Sequence, residues 1–422
     1  MRALRYAWYG DDFTGSTDVL ESLAEGGVPA VLLLRPPTPE LLARFPGMEA
    51  VGLAGDSRSR APDWMDAHLP DAFVALAALG PRIVHYKTCS TFDSSPHTGS
   101  IGRAMEIGAC ALGGPVPILV GAPHLGRYVA FANLFADAGG VVYRIDRHPT
   151  MARHPVTPMR EADLRRHLAE QTAMPIGHVP LDRLREAEFA FDAAITDGAQ
   201  AVLFDGMASG DLLAAGRVLR DRGDIRFAVG SSGVTRALLA AWQEEGAFAA
   251  PAALPAAAPV ERLLVISGSC SPVTAAQIDW AKGAGWAALA VDPAAIDEPA
   301  LASAIAEALG QGRNTVLYTA TGPLEPGRQA SGAMLGAALG RIARAIVART
   351  RVPRLLFAGG DTSSHAVAEL GLDALTWAAP IERGAPLCRG HGGDADGLEL
   401  VLKGGQMGGP DFFEAVRRGR PA

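Results

Sequence analysis

The sequence predicts an α/β protein of two doubly wound domains, each built on a mainly parallel sheet. Short apolar runs alternate with longer amphipathic segments along the chain, which is the pattern of strand and helix in such sheets. At 422 residues the chain exceeds the length at which one hydrophobic core stops growing. The alternation is interrupted by an Ala/Pro-rich run at 248–259. We therefore expect domains over residues 1–248 and 260–422, joined by this linker.

The elements follow in order. Apolar runs too short for helices are predicted as buried strands. In the first half they are 4–9, 30–34, 50–54, 83–86 and 118–120, and in the second half 262–266, 287–291, 315–318 and 354–357. Amphipathic segments between them, such as 16–25, 65–79 and 301–309, are predicted as helices.

Composition and net charge restrict the kinds of partner that the protein can bind. Hydrophobic residues make up 49% and charged residues 20%, as in an ordinary globular protein. The net charge of −7 argues against a broad surface for nucleic acid or anionic membrane, because phosphate groups are held by clustered Lys and Arg. A few cations converging in one cleft can still bind a small anion. We expect a small-molecule substrate, no nucleic-acid partner and no membrane partner, and a homodimer is left open.

Cysteine usage and the amino-terminal segment indicate a cytoplasmic protein. The four cysteines are far apart and none belongs to a CxxC pair, which favours free thiols over a zinc or redox site. No long apolar leader precedes Asp11. No run approaches the ~18–20 apolar residues of a membrane-spanning helix.

Two adjacent carboxylates follow the first predicted strand. Asp11 and Asp12 belong to the segment Tyr-Gly-Asp-Asp-Phe-Thr-Gly-Ser at 9–16, immediately before a helical pattern. Open α/β sheets bind ligands at such strand-to-helix turns. The carboxylates could accept a proton from a substrate hydroxyl, bind sugar hydroxyls or hold Mg²⁺. Alternatively, one of them simply caps the helix.

Two polar loops follow other strands of the first half, at 56–60 and 85–95. Together they offer four candidate substrate-binding side chains: Arg58, Lys87, Ser90 and Asp93. A guanidinium can bind a carboxylate as a fork, and an ammonium adds a point charge. A basic, hydroxyl-rich loop suits a polyhydroxylated acid, although solvated turns have a similar composition.

Three small-residue turns follow strands of the second half, at 267–272, 357–364 and 403–409. Without large side chains, backbone N–H groups can approach phosphate oxygens at a helix N-terminus. Each turn alone could be structural, but three in one domain indicate a nucleotide site. Its candidate residues are Ser267, Gly268, Ser269, Gly359, Gly360, Asp361, Thr362, Gly404 and Gly405. Asp361 is also the candidate ligand of Mg²⁺.

Missing motifs exclude several enzyme classes. The sequence has no G-x-x-x-x-G-K-[ST] loop, no G-x-G-x-x-G after the first strand, no H-E-x-x-H and no G-x-S-x-G. It is therefore not a P-loop ATPase, a recognisable NAD-binding Rossmann enzyme, a zincin or a standard α/β-hydrolase.

Six segments, taken in order, resemble the four-carbon acid sugar kinases: DDFTGSTD, SRS, YKTCSTFDSS, SGSCSPVTAAQI, FAGGDTSS and LVLKGGQMGGPDFF. The resemblance covers nearly the whole chain. It implies a sugar-acid-binding amino-terminal domain and a nucleotide-binding carboxy-terminal domain. It also implies phosphorylation of tetronates, oxo-tetronates or related branched sugar acids at a terminal hydroxyl, with ATP and Mg²⁺.

On this resemblance we assign hypothetical roles. Arg58 and Lys87 would hold the substrate carboxylate, and Ser90 would bind a hydroxyl. Asp12 is the candidate catalytic base, and either Asp11 or Asp93 could exchange roles with it.

The loop after the fourth strand departs from the family pattern. Cys89 stands where the threonate, erythronate and oxo-tetronate kinases have an acidic residue, and Phe92 and Asp93 stand where they have Leu and Arg. Because this loop is expected to face the substrate, a branched acid such as 3-oxo-isoapionate is a candidate beside the tetronates.

Two other functions compete with the kinase. A non-catalytic protein that binds a sugar acid and a nucleotide would have no use for a base. An isomerase or aldolase acting on sugar acids would leave the glycine turns of the second half without a role. Substrate-dependent release of ADP distinguishes the kinase from both.

Overall fold

The computed structural model describes residues 4–322 and 332–421. Its strands are β1 (Tyr6–Gly10), β2 (Ala30–Leu33), β3 (Ala50–Ala54), β4 (Ile83–Lys87), β5 (Val116–Leu119), β6 (Arg127–Ala130), β7 (Asn133–Ala138), β8 (Val141–Arg144), β9 (Ile176–Val179), β10 (Ala201–Phe204), β11 (Phe227–Gly230), β12 (Leu263–Ser267), β13 (Ala287–Ala290), β14 (Thr315–Tyr318), β15 (Arg354–Ala358), β16 (Ala374–Glu382), β17 (Ala385–His391) and β18 (Glu399–Lys403).

The α-helices lie between these strands and after the last one. They are α1 (Phe13–Glu25), α2 (Pro39–Ala43), α3 (Pro62–Ala77), α4 (Ile101–Leu112), α5 (Leu164–Ala169), α6 (Ala187–Thr196), α7 (Ser209–Asp221), α8 (Ser232–Glu244), α9 (Pro272–Gly283), α10 (Glu298–Gly310), α11 (Gly332–Thr350), α12 (Gly360–Glu369) and α13 (Phe412–Arg418). Hydroxyl caps fix several starts: the side chains of Ser100, Ser231 and Ser271 accept hydrogen bonds from the first turns of α4, α8 and α9.

By their contacts the residues divide into two units. The first comprises residues up to Asp11, then 22–30 and 36–251. The second comprises residues 12–21, 31–35 and the chain from 252 onward. Most of helix α1 and strand β2 therefore group with the second unit. The Ala/Pro-rich run at 248–259 contains no helix or strand.

The first unit is built on parallel strands in the order β3-β1-β4-β11-β5-β10-β9. Strands β1, β3, β4, β5, β10 and β11 are buried along their whole length, which explains their continuous apolar sequences. A small antiparallel sheet of β6, β7 and β8 lies between β5 and α5 in the chain. The sequence patterns did not predict this second sheet.

The second unit carries parallel strands in the order β13-β14-β12-β15-β18, followed by antiparallel β17 and β16 and by residues 32–33 of β2. Its core packs α9 and α13 against this sheet through side chains such as Val265, Ile278, Leu356, Phe412 and Phe413. Two α/β units with mainly parallel sheets confirm the predicted fold class. None of the helices in residues 4–322 and 332–421 is long and apolar enough to cross a bilayer.

Candidate active site

The loops predicted to bind substrate meet at one edge of the first unit's sheet. Gly10 is level with Ala54 on one side and with Lys87 on the other, so β1, β3 and β4 end together. The backbone N–H of Asp11 donates to the carbonyl of Lys87 at 2.9 Å, and the N–H of Arg58 donates to the carbonyl of Asp11 at 3.1 Å. Parallel pairing therefore brings three loops that are distant in sequence to one place.

Asp12 caps helix α1. Its Oδ1 accepts a hydrogen bond from the N–H of Gly15, and its carbonyl accepts from the hydroxyl of Ser16 at 2.7 Å. The next residue, Phe13, donates its N–H to Ser364 Oγ at 3.2 Å, within the second unit. The capping role proposed for one of the two aspartates is thus present. Asp12 also lies next to a residue that bonds to the 357–364 turn.

Arg58 is paired with Asp93. Its Nη2 lies 3.1 and 3.0 Å from the two carboxylate oxygens of Asp93, whose side chain is fully buried. Asp93 also accepts from the hydroxyls of Thr91 at 2.5 Å and Thr157 at 3.0 Å. Burial alone would raise the pKa of this carboxyl, but the charge of Arg58, aided by His154 and the hydrogen bonds, holds the pKa below its ordinary value. Asp93 is therefore an anion built into the loop.

Lys87 is the last residue of β4, and Ser90 lies in the loop that follows it. Lys87 is 2% exposed, and its Nζ donates to the carbonyl of Thr88 at 2.9 Å. Thr88 Oγ1 is buried and has no hydrogen-bond partner among the described residues. Ser90 is half-buried. A buried hydroxyl without a partner next to a buried lysine suits a polar ligand.

The far end of the loop is held by contacts that the sequence did not indicate. Phe92 adopts φ 55° and is fully buried. Ser94 Oγ lies 2.9 Å from His167 Nε2 and accepts from Gln171 Nε2 at 2.9 Å. Burial lowers the pKa of His167, which favours the neutral ring that this bond uses. Together with Thr157, these residues fix the loop's shape.

A further small-residue turn at 230–233, Gly-Ser-Ser-Gly, lies on the same edge. The N–H of Thr88 donates to the carbonyl of Gly230 at 2.7 Å, which places the end of β11 beside Lys87. Ser232 Oγ lies 3.4 Å from His124 Nε2 in the loop after β5. The sequence signal was available, because this turn also joins a strand to a helix.

The three turns predicted to bind nucleotide come together in the second unit. Ser267 is level with Ala358, and Ala358 with Lys403, so β12, β15 and β18 end side by side. The N–H of Gly268 donates to the carbonyl of Ala358 at 3.1 Å, and the N–H of Gly359 donates to that of Lys403 at 2.9 Å. Adjacent strand ends thus place 267–272, 357–364 and 403–409 in one cluster.

Glycine is required at several points of this cluster. A Cβ on Gly268 would collide with Thr362 Oγ1, and one on Gly405 would lie 2.7 Å from Ser269 Oγ. Gly359 adopts φ 116°, a conformation that other residues rarely take. Gly360 begins helix α12, and a Cβ on Gly404 would lie 3.4 Å from Met407 Sδ. The side chain of Asp361 lies outside the described part of the structure.

Two family models match the chain. A sugar-binding N-terminal domain matches residues 6–238, and a nucleotide-binding C-terminal domain matches residues 264–413.

Similar proteins match over nearly their whole length. A 3-oxo-isoapionate kinase from Paraburkholderia graminis is 46% identical, covering 99% of this chain and 95% of that protein. A 3-oxo-tetronate kinase from Methylobacterium radiotolerans is 35% identical, covering 96% of each. A crystal structure from Salmonella typhimurium LT2 with a provisional tRNA-synthase name has a TM-score of 0.77 at 26% identity, covering 98% of this chain and 99% of that one. As its motifs predicted, the chain belongs to the four-carbon acid sugar kinase family.

Proposed function

We propose that the chain is an ATP-dependent kinase of 3-oxo-isoapionate or a closely related branched 3-oxo sugar acid, phosphorylated at a terminal hydroxyl in the cytoplasm. The observation that carries the proposal is the 46% identity to the 3-oxo-isoapionate kinase over 99% of this chain, against 35% to the 3-oxo-tetronate kinase. The remodelled loop around Asp93 supports the same choice, because it departs from the tetronate pattern at the expected substrate side.

In this proposal the first unit holds the acid. Lys87 supplies the charge for the substrate carboxylate, and Ser90 binds a hydroxyl. Arg58 serves the same site while its Nη2 holds Asp93, so it also keeps the loop in place. These residues contribute to catalysis mainly by orienting the substrate, since phosphoryl transfer needs little covalent chemistry from the protein.

The second unit would hold the nucleotide. The residues present fit phosphates, because three small-residue turns lie at adjacent strand ends and helices α9 and α12 begin among them. Ser267, Ser269, Gly359, Gly360, Thr362 and Gly404 complete the proposed cradle.

Mg²⁺ on the phosphates would neutralise charge that develops during transfer. Such an ion needs only one or two protein carboxylates, because phosphate oxygens and water complete its shell. No group of three His, Cys, Asp or Glu that could hold a metal occurs among the described residues. We assign Asp361 as the ligand, since its backbone opens helix α12 within the cluster.

Asp12 is the proposed base that accepts the proton of the attacking hydroxyl, with Asp11 beside it binding substrate. The alternative assignment to Asp93 is disfavoured by geometry, because Arg58, Thr91 and Thr157 already donate to its carboxylate. A carboxylate that caps the start of a helix is held in one orientation, which suits a group that must meet a particular hydroxyl.

The test is substrate-dependent ADP release with Mg-ATP. The panel contains 3-oxo-isoapionate, 3-oxo-tetronates, D- and L-threonate and D-erythronate. We expect kcat/KM for 3-oxo-isoapionate to exceed that of each unbranched acid by roughly tenfold or more, the scale of discrimination by pocket shape. Equal or better turnover of a tetronate would overturn the substrate assignment, and no ADP release with any acid would overturn the kinase.

A further inference from the structure

Lys403, the last residue of β18, is a fully buried lysine in the second unit. Its Nζ donates to Thr274 Oγ1 at 3.0 Å, and that hydroxyl donates in turn to the carbonyl of Gly405 at 2.9 Å. Thr274 of helix α9 thereby connects the amine to the residues that follow Lys403 in the chain. We call these residues, 404–409, the glycine-rich segment.

Helix α9 also holds the other end of this segment. Gln277 lies almost one turn beyond Thr274, on the same face of the helix. Its Nε2 lies within hydrogen-bonding distance of three successive carbonyls, those of Met407, Gly408 and Gly409, at 2.9, 3.1 and 3.0 Å, and its two hydrogens are shared among them. Its Oε1 is buried without a hydrogen-bond partner in the described residues. One helix therefore fixes the segment at two points.

The segment is part of the proposed nucleotide cradle. A Cβ on Gly405 would lie 2.7 Å from Ser269 Oγ and 3.0 Å from the Cβ of Ser271. The carbonyl of Lys403 accepts the N–H of Gly359 at 2.9 Å. A small shift of residues 404–405 would therefore also move the neighbouring turns at 267–272 and 357–364.

The amine has no carboxylate partner within the described residues. Burial lowers the pKa of Lys403 to about 7. Its Nζ lies 5.9 Å from the ring centroid of Phe412 in α13. A desolvated, half-neutral amine gains a proton readily when an anion arrives close by.

Charged groups on the surrounding elements have other partners. Asp279 and Lys282 of α9 pair with each other, and so do Arg417 and Arg418 of α13 with Glu414. At the far end of the sheet Glu399 of β18 pairs with Arg354 of β15 and Arg389 of β17. Among the described residues Lys403 therefore has no carboxylate counter-ion, and phosphates bound at the cradle would supply that negative charge.

We propose that Lys403 is a positioning residue of the nucleotide site, which takes up a proton as nucleotide phosphates bind and steadies the glycine-rich segment through Thr274. The inference rests on the proposed nucleotide site and adds a proton coupled to its occupancy.

Calorimetric titration of Mg-ADP at pH 8, in buffers with different ionisation enthalpies, tests the proposal. The wild-type protein should take up roughly 0.5–0.9 proton per nucleotide, because an amine with a pKa about 7 is mostly neutral at that pH. Lys403→Met should lose the uptake and bind about tenfold more weakly. Thr274→Val should keep the uptake while weakening binding. Lys282→Met, on the same helix but paired at the surface, is the matched control and should change neither.

Uptake in Lys403→Met equal to that of the wild-type protein would overturn the inference, as would wild-type binding without uptake. Absence of wild-type ADP binding would instead overturn the proposed nucleotide site itself. If Lys403→Met fails to fold, Lys403→Arg answers the same question, since its permanent charge predicts binding without uptake.

Discussion

Nη2 of Arg58 lies within 3.1 Å of both carboxylate oxygens of Asp93, although 35 residues separate the two in the chain. The pair joins the loop after β3 to the loop after β4. Asp93 is fully buried, whereas the side chain of Arg58 is 24% exposed. The charge of Asp93 therefore needs its partner more than the charge of Arg58 does, because water cannot solvate the buried carboxylate.

Asp93→Asn tests the importance of this pair. The substitution leaves Arg58 without its anion, so we expect the free energy of unfolding to fall by about 3 kcal/mol, the lower end for a broken buried pair. KM for the sugar acid should rise because the loop loosens. Urea denaturation and steady-state kinetics measure both. Asp66→Asn, which breaks an exposed pair with Arg103, should cost less than about 1 kcal/mol. A similar loss in both variants would contradict the assignment.

The same pair has a defined pH dependence. The pKa of Asp93 in the folded protein lies below its ordinary value of 3.8. The stabilisation is therefore complete above pH 3.8 and is lost as pH falls further, through the folded pKa. Between pH 5 and 8, the difference in stability between the wild-type protein and Asp93→Asn should stay constant. A difference that shrinks within that range would show that Asp93 is protonated there.

Asp12→Asn separates the capping role from the proposed base. Asparagine caps helices about as well as aspartate, so folding and Mg-ADP affinity should be retained. The kcat should fall by about 10²- to 10⁴-fold, the usual contribution of general base catalysis. Asp11→Asn is the matched comparison and should mainly raise KM. Undiminished turnover in Asp12→Asn would rule it out as the base.

Gly268→Ala tests the cradle in the second unit. The new methyl group would collide with Thr362 Oγ1, so the 267–272 and 357–364 turns must separate. We expect Mg-ADP affinity to fall by at least about tenfold. Gly283→Ala, at the end of α9 with nothing within 4 Å of the added methyl, should bind like the wild-type protein. Equal affinity of the two variants would argue against a nucleotide at these turns.

His85 gives the first unit a second pH dependence. The ring is fully buried, accepts from or donates to Tyr6 Oη at 2.5 Å, and lies 3.1 Å from the carbonyl of Gly230. Burial lowers its pKa to about 3 from the ordinary 6.5. Between these values the unfolded chain binds the extra proton, so stability should fall on acidification by up to about 1.4 kcal/mol per pH unit. His85→Gln should remove that slope, and an unchanged slope would contradict the account.

Local features of the fold were predictable from sequence, whereas long-range ones were not. The turns at 267–272, 357–364 and 403–409 carry their signal in consecutive residues, and parallel pairing then brings them together. The sheet of β6, β7 and β8 lacks such a signal, because its strands are short and only partly buried.

Side-chain pairing was the main gap in the predicted site. Arg58 was expected to hold the substrate carboxylate together with Lys87, and no local pattern indicates that Asp93 accepts from Arg58 and from Thr157. Ser94 bonds to His167 and Gln171, which lie more than 70 residues away in the chain. Such contacts depend on how the segment after β5 folds back, which sequence periodicity does not encode. The turn at 230–233 does carry a local signal, because its small residues join strand β11 to helix α8.

The most direct test of the central claim is ³¹P NMR of a reaction containing the protein, Mg-ATP and 3-oxo-isoapionate. The account predicts ADP and a new phosphomonoester signal, split by the two protons of a terminal CH₂ group. Release of inorganic phosphate alone, or no change in ATP, would contradict the claim that this chain phosphorylates a sugar acid.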